Sequence, residues 1–197
     1  MKVSIHAARP LGQALLGLAL ATALTACAQA PAQHAPRAQV TVEPLEWSKA
    51  EWEQDSKFHC LPDQFLIARK HAGDEYQKGW TAYQCGKAFQ FQAIPIKDPK
   101  FIREVHEAAG VEFICPENQV MTGREHDGAE NGATRYYCGT PMDYWDRPLQ
   151  VIHDQWFWTP KEHIEHTAAC PENMFMVGRY HKGDEKEPTR YLCARVF

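Results

Sequence analysis

CPENQVMTGREHDGAENGATRYYC, read from Cys115 to Cys138, returns as CPENMFMVGRYHKGDEKEPTRYLC from Cys170 to Cys193. A looser copy with two extra residues, CLPDQFLIARKHAGDEYQKGWTAYQC, runs from Cys60 to Cys85. The opening cysteines stand 55 residues apart, and the closing ones follow 25, 23 and 23 residues later. Self-similarity at a fixed period of this size marks an internal repeat. The copies share Arg69/Arg124/Arg179, His71/His126/His181, Gly73/Gly128/Gly183, Glu75/Glu130/Glu185, Thr81/Thr134/Thr189 and Tyr83/Tyr136/Tyr191.

Each copy reads as a β-hairpin. Strand formers such as Gln119-Val120-Met121 and Thr189-Arg190-Tyr191-Leu192 flank a Gly/Asp/Glu/Asn stretch that supplies the turn. Cysteines at the open ends of an antiparallel pair lie side by side. The spacing therefore predicts Cys60–Cys85, Cys115–Cys138 and Cys170–Cys193, one of 15 formal connectivities. Each bond closes a loop worth roughly 3 kcal/mol in the chain-entropy picture. No cysteines stand at C-x-x-C spacing, so a zinc site is a poor reading.

Upstream of each hairpin, Ser48-Lys49-Ala50-Glu51, Asp98-Pro99-Lys100 and Thr159-Pro160-Lys161-Glu162 read as helix starts. The first residue caps, proline suits the first turn, and Glu51 and Glu162 complete capping boxes. Gly110 then closes the middle helix. Before them, Val40-Thr41-Val42, Phe89-Gln90-Phe91 and Leu149-Gln150-Val151 read as short strands. The expected class is α+β and β-rich: three repeats of strand, short helix and disulfide-closed hairpin. One copy buries too little to stand alone, so three should share a core about a pseudo-threefold axis, β-trefoil-like or prism-like.

The N-terminus carries an address. Residues 1–26 hold Lys2, Arg9 and no acid, then the apolar run Leu11 to Ala23, the layout of a secretory signal peptide. The run is short of the roughly 20 apolar residues of a membrane-spanning helix. It ends in Leu24-Thr25-Ala26-Cys27, which resembles the bacterial lipobox. That resemblance implies cleavage before Cys27, acylation of Cys27 and anchoring to a lipid bilayer. Ala28 after the cysteine favours the outer membrane, by analogy with such lipoproteins. Residues 27–39, rich in Ala, Pro and Gln, form the tether, and 40–197 form the three-repeat domain with hairpins 60–85, 115–138 and 170–193.

The hairpins resemble the repeat of the dermatopontin family, small extracellular proteins with adhesive roles. That repeat opens with Cys-Pro, passes a histidine-bearing loop and ends Asp-Arg-x-Trp-x-Phe-x-Cys. Here Cys115-Pro116 and Cys170-Pro171 open the copies, and Cys60-Leu61-Pro62 is one residue off. Thr134-Arg135-Tyr136-Tyr137-Cys138 and Thr189-Arg190-Tyr191-Leu192-Cys193 keep Arg and an aromatic residue before the closing cysteine. Thr replaces Asp, and Ala82 replaces Arg in the first copy. The resemblance implies extracytoplasmic binding, not catalysis.

Composition and absences narrow the chemistry. Charged residues are 23% and hydrophobic ones 44%, with formal net charge −4 and no basic run, which argues against a nucleic-acid partner. After Cys27 the only serines are Ser48 and Ser56, and no G-x-S-x-G, phosphate-cradling glycine loop or H-E-x-x-H occurs. No cofactor is implied. Ligand-binding candidates are the repeated Arg69, His71, Glu75, Arg124, His126, Glu130, Arg179, His181 and Glu185. Arg and His two apart point to one face of a strand. Such clusters suit an anion, a sugar or a metal, or equally an ion pair that fixes the turn. His163 and His166 share the expected third helix with Glu162 and Glu165, a spacing that fits a metal or a solvated face. The connection after the second hairpin carries extra residues, Met142-Asp143-Tyr144-Trp145-Asp146-Arg147-Pro148. Tyr144 and Trp145 there suit a sugar ring or a protein partner, or fold back beside Trp156 and Trp158. The expected function is a non-catalytic binding domain for glycan on an outer-membrane lipoprotein. The alternatives are a periplasmic inhibitor of a toxic enzyme and an envelope enzyme using His and carboxylates.

Overall fold

The computed structural model describes residues 39–73, 79–106, 108–129, 132–184 and 186–197. The expected signal peptide, Cys27, most of the expected tether, Glu75, Glu130 and Glu185 lie outside the described residues.

Module one runs β1 (Thr41–Trp47), β2 (Glu51–Trp52), a single 3-10 turn (Glu53–Asp55), β3 (Lys57–His59) and the hairpin β4 (Phe65–Ala72) with β5 (Trp80–Gln90). The two-residue β6 (Gln92–Ala93) follows. Module two is β7 (Ile96–His106), β8 (Ala109–Ile114), β9 (Val120–Asp127) and β10 (Ala133–Pro141). Module three is β11 (Val151–Lys161), β12 (His166–Ala169), β13 (Phe175–Lys182) and β14 (Pro188–Val196).

The expected α+β class is therefore corrected. Among the described residues no α-helix forms, and the three helix starts are strands or turns. Asp98-Pro99-Lys100 lies inside β7, and Thr159-Pro160-Lys161 ends β11. Ser48 caps nothing; its hydroxyl accepts the Tyr83 N–H across the sheet at 3.0 Å. Phe89 and Gln90 belong to β5, and the first strand of module two begins at Ile96. The physical reason is that proline suits an edge strand as well as a first helical turn, since an edge N–H has no ladder partner. Pro44, Pro99 and Pro160 all sit in β1, β7 and β11, and each of these strands is a sheet edge. Register shifts interrupt all three strands, so the period-2 alternation that would have revealed them is broken.

The strands form three antiparallel sheets ordered β1-β5-β4-β12, β3-β9-β10-β7 and β11-β14-β13-β8, with β2 and β6 also on β5. Each hairpin pairs on one side with the first strand of its own module. On the other side it takes the short pre-hairpin strand of another: β3 joins module two, β8 joins module three and β12 joins module one. The exchange closes into a ring. The same cycle appears in single bonds, where the N–H groups of Cys60, Cys115 and Cys170 donate to the carbonyls of Thr122, Val177 and Ile67 at 2.9, 2.8 and 2.9 Å. It appears again in the turns after the opening cysteines. There Asp63, Asn118 and Asn173 adopt φ of 60°, 57° and 59°. Their side chains accept the N–H of Ile96, Val151 and Val42, in the first strand of the next module, at 3.1, 3.0 and 2.9 Å. Asp and Asn tolerate this left-handed backbone better than other side chains.

The three expected disulfides are present, with Cα–Cα separations of 5.9, 5.9 and 5.7 Å. They close the base of each hairpin; Gly73, Gly128 and Gly183, at positive φ, begin the turns at the opposite apex. Phe65, Val120 and Phe175, at equivalent positions, are wholly buried in one cluster with Ile94, Ile96, Leu149 and Val196. The rings of Phe65 and Phe175 lie 4.1 Å apart. A second cluster gathers Leu66, Met121 and Met176, the three repeated tyrosines and five of the cysteines, Cys60, Cys85, Cys115, Cys138 and Cys170. At roughly 1.5–3 kcal/mol per large apolar side chain removed from water, these positions carry the fold.

Candidate functional site

Climbing the first hairpin from base to apex, the register pairs Leu66 with Cys85, Arg69 with Tyr83 and His71 with Thr81. The second places Arg124 opposite Tyr136 and His126 opposite Thr134, and the third places Arg179 opposite Tyr191. The repeated Arg and His of the sequence thus converge inside the ring of sheets. All six are buried, the arginines to 1–2% exposure.

There they meet acids from the pre-hairpin segments. Glu53 accepts Arg124 at 2.8 Å and pairs with Arg69 at 3.0 Å, while its oxygen lies 3.7 Å from His71. Glu162 accepts Arg69 at 2.6 Å, Arg179 at 2.8 and 3.0 Å, and the Thr189 hydroxyl at 2.8 Å. The corresponding residue of module two, Glu107, lies outside the described residues. Tyrosines and threonines complete the network. The Tyr83 hydroxyl accepts Arg124 at 2.9 Å, and the Tyr191 hydroxyl accepts Arg69 at 3.1 Å and Arg179 at 3.3 Å. Nδ1 of His126 and of His181 meets the Thr134 and Thr189 hydroxyls at 2.7 and 2.9 Å.

Electrostatics follow from this geometry. Burial alone would push the Glu53 and Glu162 carboxyls up, but the guanidiniums beside them outweigh it and hold both well below the ordinary carboxylate range. Burial, and after it the Arg69 charge, lowers His71 to about 4, so it stays neutral. Arg69 bonds Glu162 and Tyr191 of module three, and Arg124 bonds Glu53 and Tyr83 of module one, so the network links the modules, while Arg179 pairs with Glu162 and Tyr191 within its own module. Chemically this is a buried, charge-paired network. Among the described residues its arginines pair with the carboxylates and tyrosines beside them and are closed to solvent.

His163 and His166 are likewise not on a helix. His166 is buried in β12, where Nδ1 meets the Ile164 carbonyl at 2.8 Å; the His163 carbonyl accepts the Gly73 N–H at 3.0 Å. Among the described residues no group of three or more His, Cys, Asp and Glu is placed to hold a metal.

The inserted loop does not fold back on the core. Tyr144 and Trp145 are each 70% exposed. Asp143 holds them outward: one carboxylate oxygen accepts the N–H groups of Trp145 and Arg147 at 2.8 and 2.9 Å, and the other accepts Arg147 Nε at 2.8 Å. Desolvation raises the Asp143 carboxyl, and these hydrogen bonds more than reverse it. The Arg147 guanidinium lies 5.0 Å from the Trp145 ring.

A surface that the sequence reading did not single out lies on the third sheet. Trp158, Arg190, Tyr180 and Glu112 are successive partners across β11, β14, β13 and β8. The Arg190 guanidinium sits 4.3 Å from Tyr180, 4.9 Å from Trp156 and 5.4 Å from Trp158, and it binds the Glu112 carboxylate. Trp158 remains 59% exposed. The equivalent row of the second sheet is Glu104, Arg135, Glu125 and Lys57, charges laid out as ion pairs, and that of the first holds Ala82, Lys70 and Thr167. The signal was the alternation Trp156-Phe157-Trp158, one face out and Phe157 inward against Tyr191. A helix start at Thr159 concealed it.

Comparison with protein-family models, with curated proteins and with solved structures finds no match to this chain, so the likeness to the dermatopontin repeat rests only on the cysteine, arginine and aromatic positions quoted above.

Proposed function

We propose that this chain is an outer-membrane lipoprotein, anchored through acylated Cys27, whose domain is a non-catalytic glycan-binding module. The observation that carries the ligand class is the row on the third sheet, with two tryptophans and a tyrosine around one guanidinium. Aromatic rings offer apolar faces to the C–H faces of a pyranose, while Arg190 and Glu112 offer a donor fork and acceptor oxygens to its hydroxyls. The contacts around Arg190 lock these side chains before any ligand arrives, which lowers the entropic cost of binding. The disulfides and the internal network make the domain a rigid support for that surface.

The test is a titration of the full chain with envelope polysaccharides and soluble peptidoglycan fragments, followed by tryptophan fluorescence. Trp158→Ala should weaken binding at least about tenfold, in line with a central aromatic contact worth 1.4 kcal/mol or more, with an unchanged melting temperature. Absence of binding to every glycan, or binding indifferent to Trp158→Ala and Arg190→Ala, contradicts the reading. The anchor is tested separately: palmitate incorporation should be lost in Cys27→Ala.

A further inference from the structure

The four most exposed large apolar side chains among the described residues are Phe91 at 97%, Tyr144 and Trp145 at 70%, and Leu61 at 68%. All four lie at the base. Leu61 follows an opening cysteine, Phe91 tips the reversal between β5 and β6, and the other two belong to the loop after β10. Contacts tie these pieces together, and the Asp63 side chain of the Leu61 turn accepts the Ile96 N–H at 3.1 Å. The Met142 N–H donates to the Pro95 carbonyl at 3.0 Å, Lys97 pairs with Asp146 at 3.7 Å, and Thr41 stands opposite Phe89 in the register. The chain also enters here, since Gln39 lines one pocket with Asn173, Arg195 and the C-terminal Phe197.

From these placements we infer that the base of the domain rests on the bilayer surface, with Phe91, Tyr144, Trp145 and Leu61 set into the boundary between headgroups and acyl chains. The inference rests on the lipid-anchor reading above. Residues 28–39 connect Cys27 to this same pole. Even fully extended at roughly 3.3–3.6 Å per residue they reach only about 40–43 Å, so the base is never far from lipid. A tether this short presents the contact at high effective concentration, and weak individual insertions then suffice. Trp and Tyr favour the membrane interface because one end is apolar and the other wet. Lys97 and Arg147, about half and two-thirds exposed beside them, pair with Asp146 and Asp143, so the carboxylates of this loop meet the headgroups with their charge balanced. The backbone fixes this exposure: Phe91 sits at φ 69°, and Asp143 holds the Trp145 N–H. The glycan row lies on the outer face of the third sheet and stays open in this orientation.

The experiment uses the acylated full chain in vesicles of phosphatidylethanolamine and phosphatidylglycerol, with and without brominated acyl chains, which quench nearby indoles. Flotation reports the anchor, and quenching reports the seat. The wild type should float and be quenched, Trp145→Phe should float and lose most of the quenching, and Trp52→Phe, at the apex opposite Trp80, should leave it unchanged. A chain that floats unquenched overturns the seat and leaves the anchor standing. Quenching lost in Trp52→Phe or Trp158→Phe but kept in Trp145→Phe overturns it by placing another face on the lipid. A chain that does not float overturns anchor and seat together.

Discussion

Changing Glu162 to Gln keeps the side-chain volume and removes one negative charge from between two buried guanidiniums. Arg179 then loses a two-pronged carboxylate at 2.8 and 3.0 Å, and Arg69 loses its 2.6 Å contact. Both arginines are almost fully buried, so water cannot replace what is lost. Breaking a buried pair by neutralising one partner costs about 3–5 kcal/mol, because the surviving charge stays buried and uncompensated. Taking an m-value of about 2 kcal/mol per molar urea, the unfolding midpoint should fall by roughly 2 M. The assay is equilibrium urea unfolding of the oxidised protein at neutral pH, followed by intrinsic fluorescence. Glu104→Gln is the control. Its pair with Arg135 is partly exposed, and such pairs contribute less than about 1 kcal/mol. A Glu162→Gln protein within about 1 kcal/mol of wild type, or a control that costs as much, would show that the internal network does not hold the modules together.

Acid should weaken the fold in two stages. His71 is held at about 4 against an ordinary 6.5, so the unfolded chain takes up a proton that the folded one resists. Stability is complete above pH 6.5 and falls by about 3 kcal/mol as the pH drops toward 4. Glu53 and Glu162, held below their ordinary 4.5, add a further loss as the pH falls past that value. Thermal unfolding across pH 7.5 to 4 checks this, and a flat profile contradicts it. Asn118→Ala should cost about 2 kcal/mol, one part for the lost hydrogen bond to Val151 and one for alanine at φ 57°; Asn118→Gly should recover the second part in the same denaturation assay. Gly178→Ala would place a Cβ 2.8 Å from the Phe113 carbonyl and 3.2 Å from the Trp156 ring. It should cost about 1–3 kcal/mol by overpacking and weaken glycan binding by displacing Trp156, read by urea unfolding and by the sugar titration.

The parts legible in the sequence were those written locally. Cysteine spacing and the thrice-repeated motif specified the hairpins and their bonds, because both ends of each hairpin lie within one copy. The edge strands were not legible. Asp98-Pro99-Lys100 and Thr159-Pro160-Lys161 satisfy the chemistry of a helix start, and only the sheet beside them makes them strands. The exchange of β3, β8 and β12 between modules leaves no local mark. The arginines were visible as a set, but their acids were not. Glu162 looked like half of a capping box, and Glu53 is the first residue of a single turn that brings it inward. Asp63, Asn118 and Asn173 recur at one position of the repeat, and their role becomes clear only when the next module's first strand lies against them. Trp145 reads from the sequence as core or surface, and the Asp143 clamp decides for surface.

Amide hydrogen exchange of the full chain, read by NMR at Cys60, Cys115 and Cys170, tests the closed ring of modules most directly. Their N–H groups bond across module boundaries, so an interlocked ring opens them only in global unfolding. All three should exchange with one free energy, equal to that from urea denaturation and to that of the buried hairpin amides. A graded series, with one boundary opening well before the others as in a linear repeat array, would contradict the account.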